Sequence, residues 1–262
     1  MTEPITLLPD EQLDEVNEQI RLIRKRNGLT FGTDAYLLAA AIPNRSGARA
    51  VDLGSGTGIL PLLLCAKNKV ATVTAVEIQP AFAALTRRNA ALNGFSDRIR
   101  VLETDVRRLT LSDTGGEVDL VCSNPPYLRR NSGRTNIHPE KEIARHEVHG
   151  TVADFCHAAG RILRTKGKFF CVWKPERLRE LFAAMTDSRL EPKRLTFIHA
   201  DLTREPCAVL AEAVKDASPD LRVTPPLILY EPIRKAGEVR TMTAQAREIY
   251  RTGTWKDGPE QT

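Results

Sequence analysis

The stretch VDLGSGTGIL, Val51 to Leu60, sets three glycines, Gly54, Gly56 and Gly58, between an apolar β-type run and an apolar helical run. Glycine permits a tight turn and a close backbone approach to a ligand, and a helix that begins just after the turn aims its unpaired N–H groups at the same place. The spacing is GxGxG rather than the dinucleotide pattern GxGxxG, and Asp52 stands immediately before it. Outward from this loop the chain alternates strand and helix patterns. Strands are expected at Ala50 to Leu53, Thr72 to Glu77, Ile99 to Glu103, Val118 to Cys122 and Lys168 to Trp173. Helices are expected at Ile59 to Lys67, Pro80 to Asn93, Thr151 to Arg164 and from Pro175 to about Asp187, followed by closing strands at Arg194 to His199 and Ala208 to Val214. Such alternation predicts an α/β fold with a parallel sheet covered on both faces.

Two acidic residues follow the next two strands. Glu77 ends the second strand, 19 residues after Gly58, where a carboxylate in such folds accepts bonds from a ribose hydroxyl pair. Asp105 follows the third strand, in position to flank an adenine. Behind the fourth strand comes SNPPY, Ser123 to Tyr127. Two prolines fix φ near −65° and donate no backbone hydrogen bonds, so the chain leaves the strand at Asn124 as a rigid turn. That turn offers an amide, free carbonyls and an aromatic ring together, the groups needed to hold a planar, amine-bearing substrate.

Before the glycine loop, Glu11 to Asn27 is polar with scattered apolar residues. Ile20 to Phe31 suits two short strands joined at Asn27-Gly28. FGTDAYLLA then reads as a turn feeding a buried helix, capped by Thr33 or Asp34 and ending before Pro43, whose N-terminal N–H groups can meet an anion. No repeat or linker divides the chain, so one domain is expected: an N-terminal extension over 1–47, a core over 48–215 and a tail over 216–262.

The composition limits the partners. A formal charge of +5 and a pI near 9.0 allow a nucleic-acid partner without demanding one. The loop Leu128 to Gly150 carries a local excess of two positive charges, with Arg129, Arg130, Arg134, Lys141 and Arg145 as candidate phosphate contacts beside Tyr127 as a stacking surface. Its histidines His138, His146 and His149 lack ligand spacing, so no metal is expected. Cys65, Cys122, Cys156, Cys171 and Cys207 form no CxxC pair and read as reduced thiols of a cytoplasmic protein. No leader or membrane span is legible.

Taken together, the glycine loop, Glu77, Asp105 and NPPY resemble the class I S-adenosylmethionine-dependent methyltransferases. That resemblance implies a Rossmann-like fold with a seven-stranded, mostly parallel sheet, an antiparallel closing strand and helices on both faces. It implies S-adenosylmethionine as cofactor, held by Asp52, Gly54, Ser55, Gly56, Thr57 and Gly58 at its methionine part, by Glu77 and Ile78 at the ribose and by Asp105 and Val106 at the adenine. Phe31, Gly32, Thr33, Asp34 and Asn124 complete the implied cofactor shell. Asn124, Pro125, Pro126 and Tyr127 resemble the element with which relatives methylate adenine amines or a glutamine amide. FGTDAYLLA, SNPPY, the cluster Arg145 to Glu147 and PLILYE further resemble the bacterial tRNA(Val) adenine-N6 methyltransferases, implying tRNA as partner and the adenine 3′ of the anticodon as target. A glutamine-N5 methyltransferase of release factors, a DNA adenine methyltransferase and a non-catalytic cofactor-binding protein are the alternatives.

Overall fold

The computed structural model describes residues 6–26, 32–125, 150–232 and 239–255. A hairpin opens the chain: β1 (Glu11–Asn17) pairs antiparallel with β2 (Ile20–Lys25). Its turn lies at Glu18-Gln19, where the Asn17 side chain accepts the Gln19 N–H at 2.9 Å and closes the turn. The further turn expected at Asn27-Gly28 falls outside the described residues. The hairpin is seated on α3 (Pro80–Leu92). Two asparagines one helical turn apart, Asn89 on α3 and Asn93 at its C-cap, bond the β2 backbone as a neighbouring strand would. Asn89 takes the Ile23 N–H at 2.7 Å and gives to its carbonyl at 3.0 Å, while Asn93 does the same to Arg21 at 2.9 and 2.7 Å.

α1 (Thr33–Ala41) begins from an extended Gly32 with no side-chain cap, so neither Thr33 nor Asp34 is the cap. Both lie in the first turn, where the Asp34 carboxylate still faces the positive end of the helix dipole. The other end of α1 is gripped by Lys69. Its ammonium, on a side chain only 2% exposed, donates to the carbonyls of Ala39 at 2.6 Å, Ala40 at 3.1 Å and Ile42 at 2.5 Å. These carbonyls lack helical partners, and a buried cation at a helix C-terminus is favoured by the same dipole.

The main sheet contains β3 (Arg49–Leu53), β4 (Thr72–Glu77), β5 (Ile99–Glu103), β6 (Val118–Ser123), β7 (Leu163–Trp173), β8 (Leu190–His199) and β9 (Pro206–Lys215). To these seven long strands the described residues add two of two residues each, β10 (Arg222–Val223) and β11 (Leu227–Ile228), both parallel to β8. The strand order is β10-β8-β9-β7-β6-β3-β4-β5, and β9 runs antiparallel to both neighbours. Strand β7 starts at Leu163, earlier than Lys168, because Leu163 pairs with Val118 before a register shift brings Lys168 opposite Leu120.

Helices cover both faces. On one, α1, α2 (Ile59–Ala66) and α3 bury Leu37, Leu38, Leu62, Leu63 and Ala90. The C-terminal helix α6 (Ala244–Thr252) adds Ala246 and Ile249 to that cluster, so the tail folds back on the core. On the other face, α4 (Val152–Ile162) and α5 (Leu178–Asp187) bury Phe155, Ile162, Leu181 and Met185. A capping box between Thr151 and Asp154 starts α4.

Candidate active site

Parallel pairing sets the geometry. Leu53 of β3 lies opposite Ser123 of β6 and opposite Val76 of β4, while Glu77 lies opposite Glu103. The glycine loop, Glu77, the segment after Glu103 and Asn124 therefore leave the sheet along one carboxyl edge. From β3 the chain moves through β4 to β5 and then crosses back to β6 on the other side of β3. Connections diverge there, which opens a crevice between the glycine loop and Asn124.

Gly54, Gly56 and Gly58 all have left-handed φ, at +76°, +55° and +83°. Gly58 is also crowded, since a Cβ there would stand 2.7 Å from Thr86 Cγ2, whereas a Cβ on Gly56 would meet nothing within 4 Å. The loop is braced from α3 and β4. Thr86 Oγ1 donates to the Gly56 carbonyl at 2.8 Å, and Asn89 Nδ2 donates to the Thr57 carbonyl at 2.9 Å. Glu77, 4% exposed, accepts the Gly56 N–H at 2.9 Å on one oxygen and the Gln79 N–H at 2.8 Å on the other.

Asp52 is buried at 2% exposure, with the Cys122 thiol 3.8 Å from its Oδ1. Burial pushes its carboxyl up to about 8, and the nearby Glu77 charge adds to the shift. Glu77 lends negative charge to this crevice, and Asp52 adds to it where it is ionised, towards and above about pH 8. The residues fit S-adenosylmethionine, whose sulfonium and ammonium are cations. Ser55 Oγ is buried without a hydrogen-bond partner, and Gly56 faces open space on the side where a Cβ would lie. Asp105 caps the short 3-10 turn Val106–Arg108 by accepting the Arg107 N–H at 2.9 Å, and the Arg107 guanidinium holds its carboxyl below the usual range. Val106 is buried beneath it and Ile78 is half-buried.

On the acceptor side, Ser123 Oγ donates to the Leu53 carbonyl at 2.8 Å and ties the two strand ends together. Asn124 follows half-buried and Pro125 buried. Gly32 is exposed at the head of α1, with Thr33 and Asp34 half-buried after it. Burial raises the Asp34 carboxyl, with Lys174 at the end of β7 acting the other way. Phe31, Pro126, Tyr127, Arg129, Arg130, Arg134, Lys141 and Arg145 lie outside the described residues. Thr86, Asn89 and Lys174 were not among the sequence-derived site residues. Asn89 carried a signal, because asparagine is a poor interior helix residue and a buried one calls for partners. Among the described residues no three His, Cys, Asp or Glu side chains could hold a metal, and no helix is long and apolar enough to cross a membrane.

A doubly wound sheet with this glycine loop, acidic strand ends and switch-point crevice defines a class I S-adenosylmethionine-dependent methyltransferase. The chain belongs to the methyltransferase small domain family, whose model matches residues 26–187. It is 32% identical over 193 residues to a tRNA1(Val) (adenine(37)-N6)-methyltransferase of Porphyromonas gingivalis, covering 70% of this chain and 74% of the relative. In structure it is similar to a predicted O-methyltransferase from Agrobacterium tumefaciens, with a TM-score of 0.67, 25% identity and coverage of 85% and 97% of the two chains. A putative class I S-adenosylmethionine-dependent methyltransferase from Listeria monocytogenes shares the fold alone, with a TM-score of 0.51, 16% identity and coverage of 73% and 62%.

Proposed function

We infer that the protein methylates the exocyclic N6 of an adenine in tRNA, at the position 3′ of the anticodon in tRNA(Val), and does so in the cytoplasm as one catalytic unit. The observation that carries this reading is the pairing of Leu53 with Ser123, from which the donor loop and the NPPY segment depart side by side. The name of the Porphyromonas gingivalis relative supports the choice of substrate.

Bound S-adenosylmethionine would supply an electrophilic methyl group and be left as S-adenosylhomocysteine, with the surplus N6 proton lost to water. The chain's own residues do the rest by positioning and hydrogen bonding. Adenine N6 is a poor nucleophile because its lone pair is delocalised into the ring. Asn124 Oδ1 and the Pro125 carbonyl each accept one N6 hydrogen, which localises the lone pair and aims it at the donor. Acceptors whose bonds strengthen as positive charge develops on N6 lower the barrier rather than merely improve binding. Tyr127 stacks on the base once it is unstacked, which costs least in a loop.

The test is to offer labelled S-adenosylmethionine with unmodified total tRNA, ribosomal RNA, plasmid DNA and release factors in parallel, then identify the methylated group. Label recovered as N6-methyladenosine from a tRNA anticodon loop supports the reading; label only on a release factor overturns it. Asn124→Ala should lower turnover by about a hundredfold or more while S-adenosylmethionine affinity is kept, by analogy with loss of a single transition-state hydrogen bond.

A further inference from the structure

The cofactor crevice occupies the β3-β4-β5 half of the carboxyl edge, so the acceptor must approach over the β6-β7-β9-β8 half. Because β9 is antiparallel to both β7 and β8, the carboxyl ends of β7 and β8 and the turn between β8 and β9 share the edge that carries Asn124. Lys174 stands just beyond β7, with its Nζ 3.4 Å from the Cys207 carbonyl and Asp34 close enough to feel its charge. Two strands further, the turn after β8 builds an arginine pair on one aspartate.

That aspartate is Asp201, whose side chain is 7% exposed. Its Oδ1 accepts from the Thr203 N–H at 3.1 Å and the Thr203 hydroxyl at 2.5 Å. Its Oδ2 lies 3.3 Å from Arg204 Nε and 3.1 Å from Arg240 Nη2. The Arg240 guanidinium also stacks over the Tyr230 ring, 5.0 Å from its centroid. Tyr230 is fixed in turn by its N–H to the Ala200 carbonyl at 2.9 Å and by a bridge to Met242. Arg204 remains 63% exposed and Arg240 35%, so donors of both still face solvent. Among these three side chains, one carboxylate against two guanidiniums leaves one positive charge. At the tip of the same turn Leu202 is 70% exposed, an apolar surface beside fixed cations.

We propose that Lys174, Arg204 and Arg240 form a phosphate track for the RNA strand flanking the methylated base, with Leu202 meeting a ribose or base beside it. This rests on the tRNA reading above. Strand β8 lies three strands from β6, which at roughly 4.8 Å per strand puts the arginine pair about 14 Å from Asn124. That is a distance a single strand covers in a few nucleotides. Guanidiniums held in place before binding lose little side-chain freedom on meeting a phosphate, and their planar forks match its oxygens. A polyanion fits this arrangement, because the track offers fixed cations whose donors match phosphate oxygens.

The experiment measures binding of unmodified total tRNA over a range of salt, with S-adenosylmethionine affinity and the melting temperature recorded in parallel. The double variant Arg204→Gln, Arg240→Gln should bind tRNA about tenfold more weakly, and the slope of log K against log salt should fall by about two. Its cofactor affinity should not change. Leu202→Glu, at an exposed site where folding is unaffected, should also weaken tRNA binding. Arg189→Gln should leave tRNA binding unchanged, because Arg189 is 74% exposed, pairs with Asp216 and lies before the start of β8 at the opposite edge. Wild-type affinity and slope in the double variant would overturn the track while leaving the tRNA reading intact, as would an equal loss in Arg189→Gln. A parent protein that binds no tRNA would overturn both.

Discussion

Glu77 and Gly56 are joined across the mouth of the crevice, the Glu77 carboxylate accepting the Gly56 N–H at 2.9 Å while its second oxygen holds the Gln79 N–H. The residue expected to meet a ribose also shapes the loop expected to meet the methionine part. Glu77→Gln supplies only one carbonyl oxygen, so one of the two N–H groups would face an NH2. Hydrogen bonds to charged groups are worth about 1.5–3 kcal/mol. The dissociation constant for S-adenosylmethionine should rise at least about tenfold and the melting temperature should fall by several degrees. Calorimetric titration decides it, and an unchanged constant would mean that this carboxylate does not set the cofactor site.

The glycine loop makes a second test by contrast. Gly56→Ala and Gly58→Ala both force a left-handed alanine, which costs about 1–2 kcal/mol. Only Gly58→Ala adds a steric conflict, with Thr86 Cγ2 at 2.7 Å, while the Gly56 position is open. Gly58→Ala should therefore have the lower melting temperature. Gly56→Ala should retain more stability yet lose cofactor affinity, because its methyl enters open space that we assign to the cofactor.

Asp52 supplies a pH dependence. In the folded protein its carboxyl is raised to about 8 from an ordinary value of 3.8. Between those values the folded state holds one more proton than the unfolded chain. The contribution of Asp52 to stability is thus whole below this window, declines as pH rises through it and levels off above about 8. Asp52→Asn removes that decline, so its melting temperature relative to the parent should increase from about pH 5 to about pH 8. A constant difference would refute the shift. In the parent, S-adenosylmethionine affinity should rise across the same window, since the ionised carboxylate is the better partner for a cation.

Asn89 links three segments through one buried amide. Asn89→Leu would leave the Ile23 N–H and carbonyl and the Thr57 carbonyl without this partner. At about 1–3 kcal/mol for each buried unpaired group, a loss on the order of 3 kcal/mol follows, or roughly 6–12 °C in melting temperature. Limited proteolysis should show cleavage in the hairpin before the sheet is attacked.

Much of this arrangement is legible in the chain itself. The runs at Val51, Val73, Val101 and Val121 are β-branched and bounded by glycine, proline or polar residues, and the strands β4 and β5 match the sequence reading at both ends. The glycine loop is legible because only glycine tolerates three left-handed positions so close together. The hairpin is less so. β2 is fixed by Asn89 and Asn93, more than sixty residues away. The head of α1 misleads, since Thr33 and Asp34 are good caps and Gly32 takes the position. The rim beyond β8 shows in the sequence only as the motif PLILYE, which contains Tyr230 and gives no hint of its partners. Asp201, Tyr230 and Arg240 meet only because β11 pairs with β8, a contact that no periodicity encodes.

Lys69, whose ammonium grips the end of α1, also provides a natural clock. An amine that is 2% exposed and bonded to three carbonyls is out of reach of acylating reagents, unlike the lysines at the surface. Its acylation, followed by mass spectrometry on the native protein, would register only molecules in which α1 has lifted from its seat. Since the far end of that helix carries Thr33 and Asp34, which are expected to contact the cofactor, the clock should slow when S-adenosylmethionine is added.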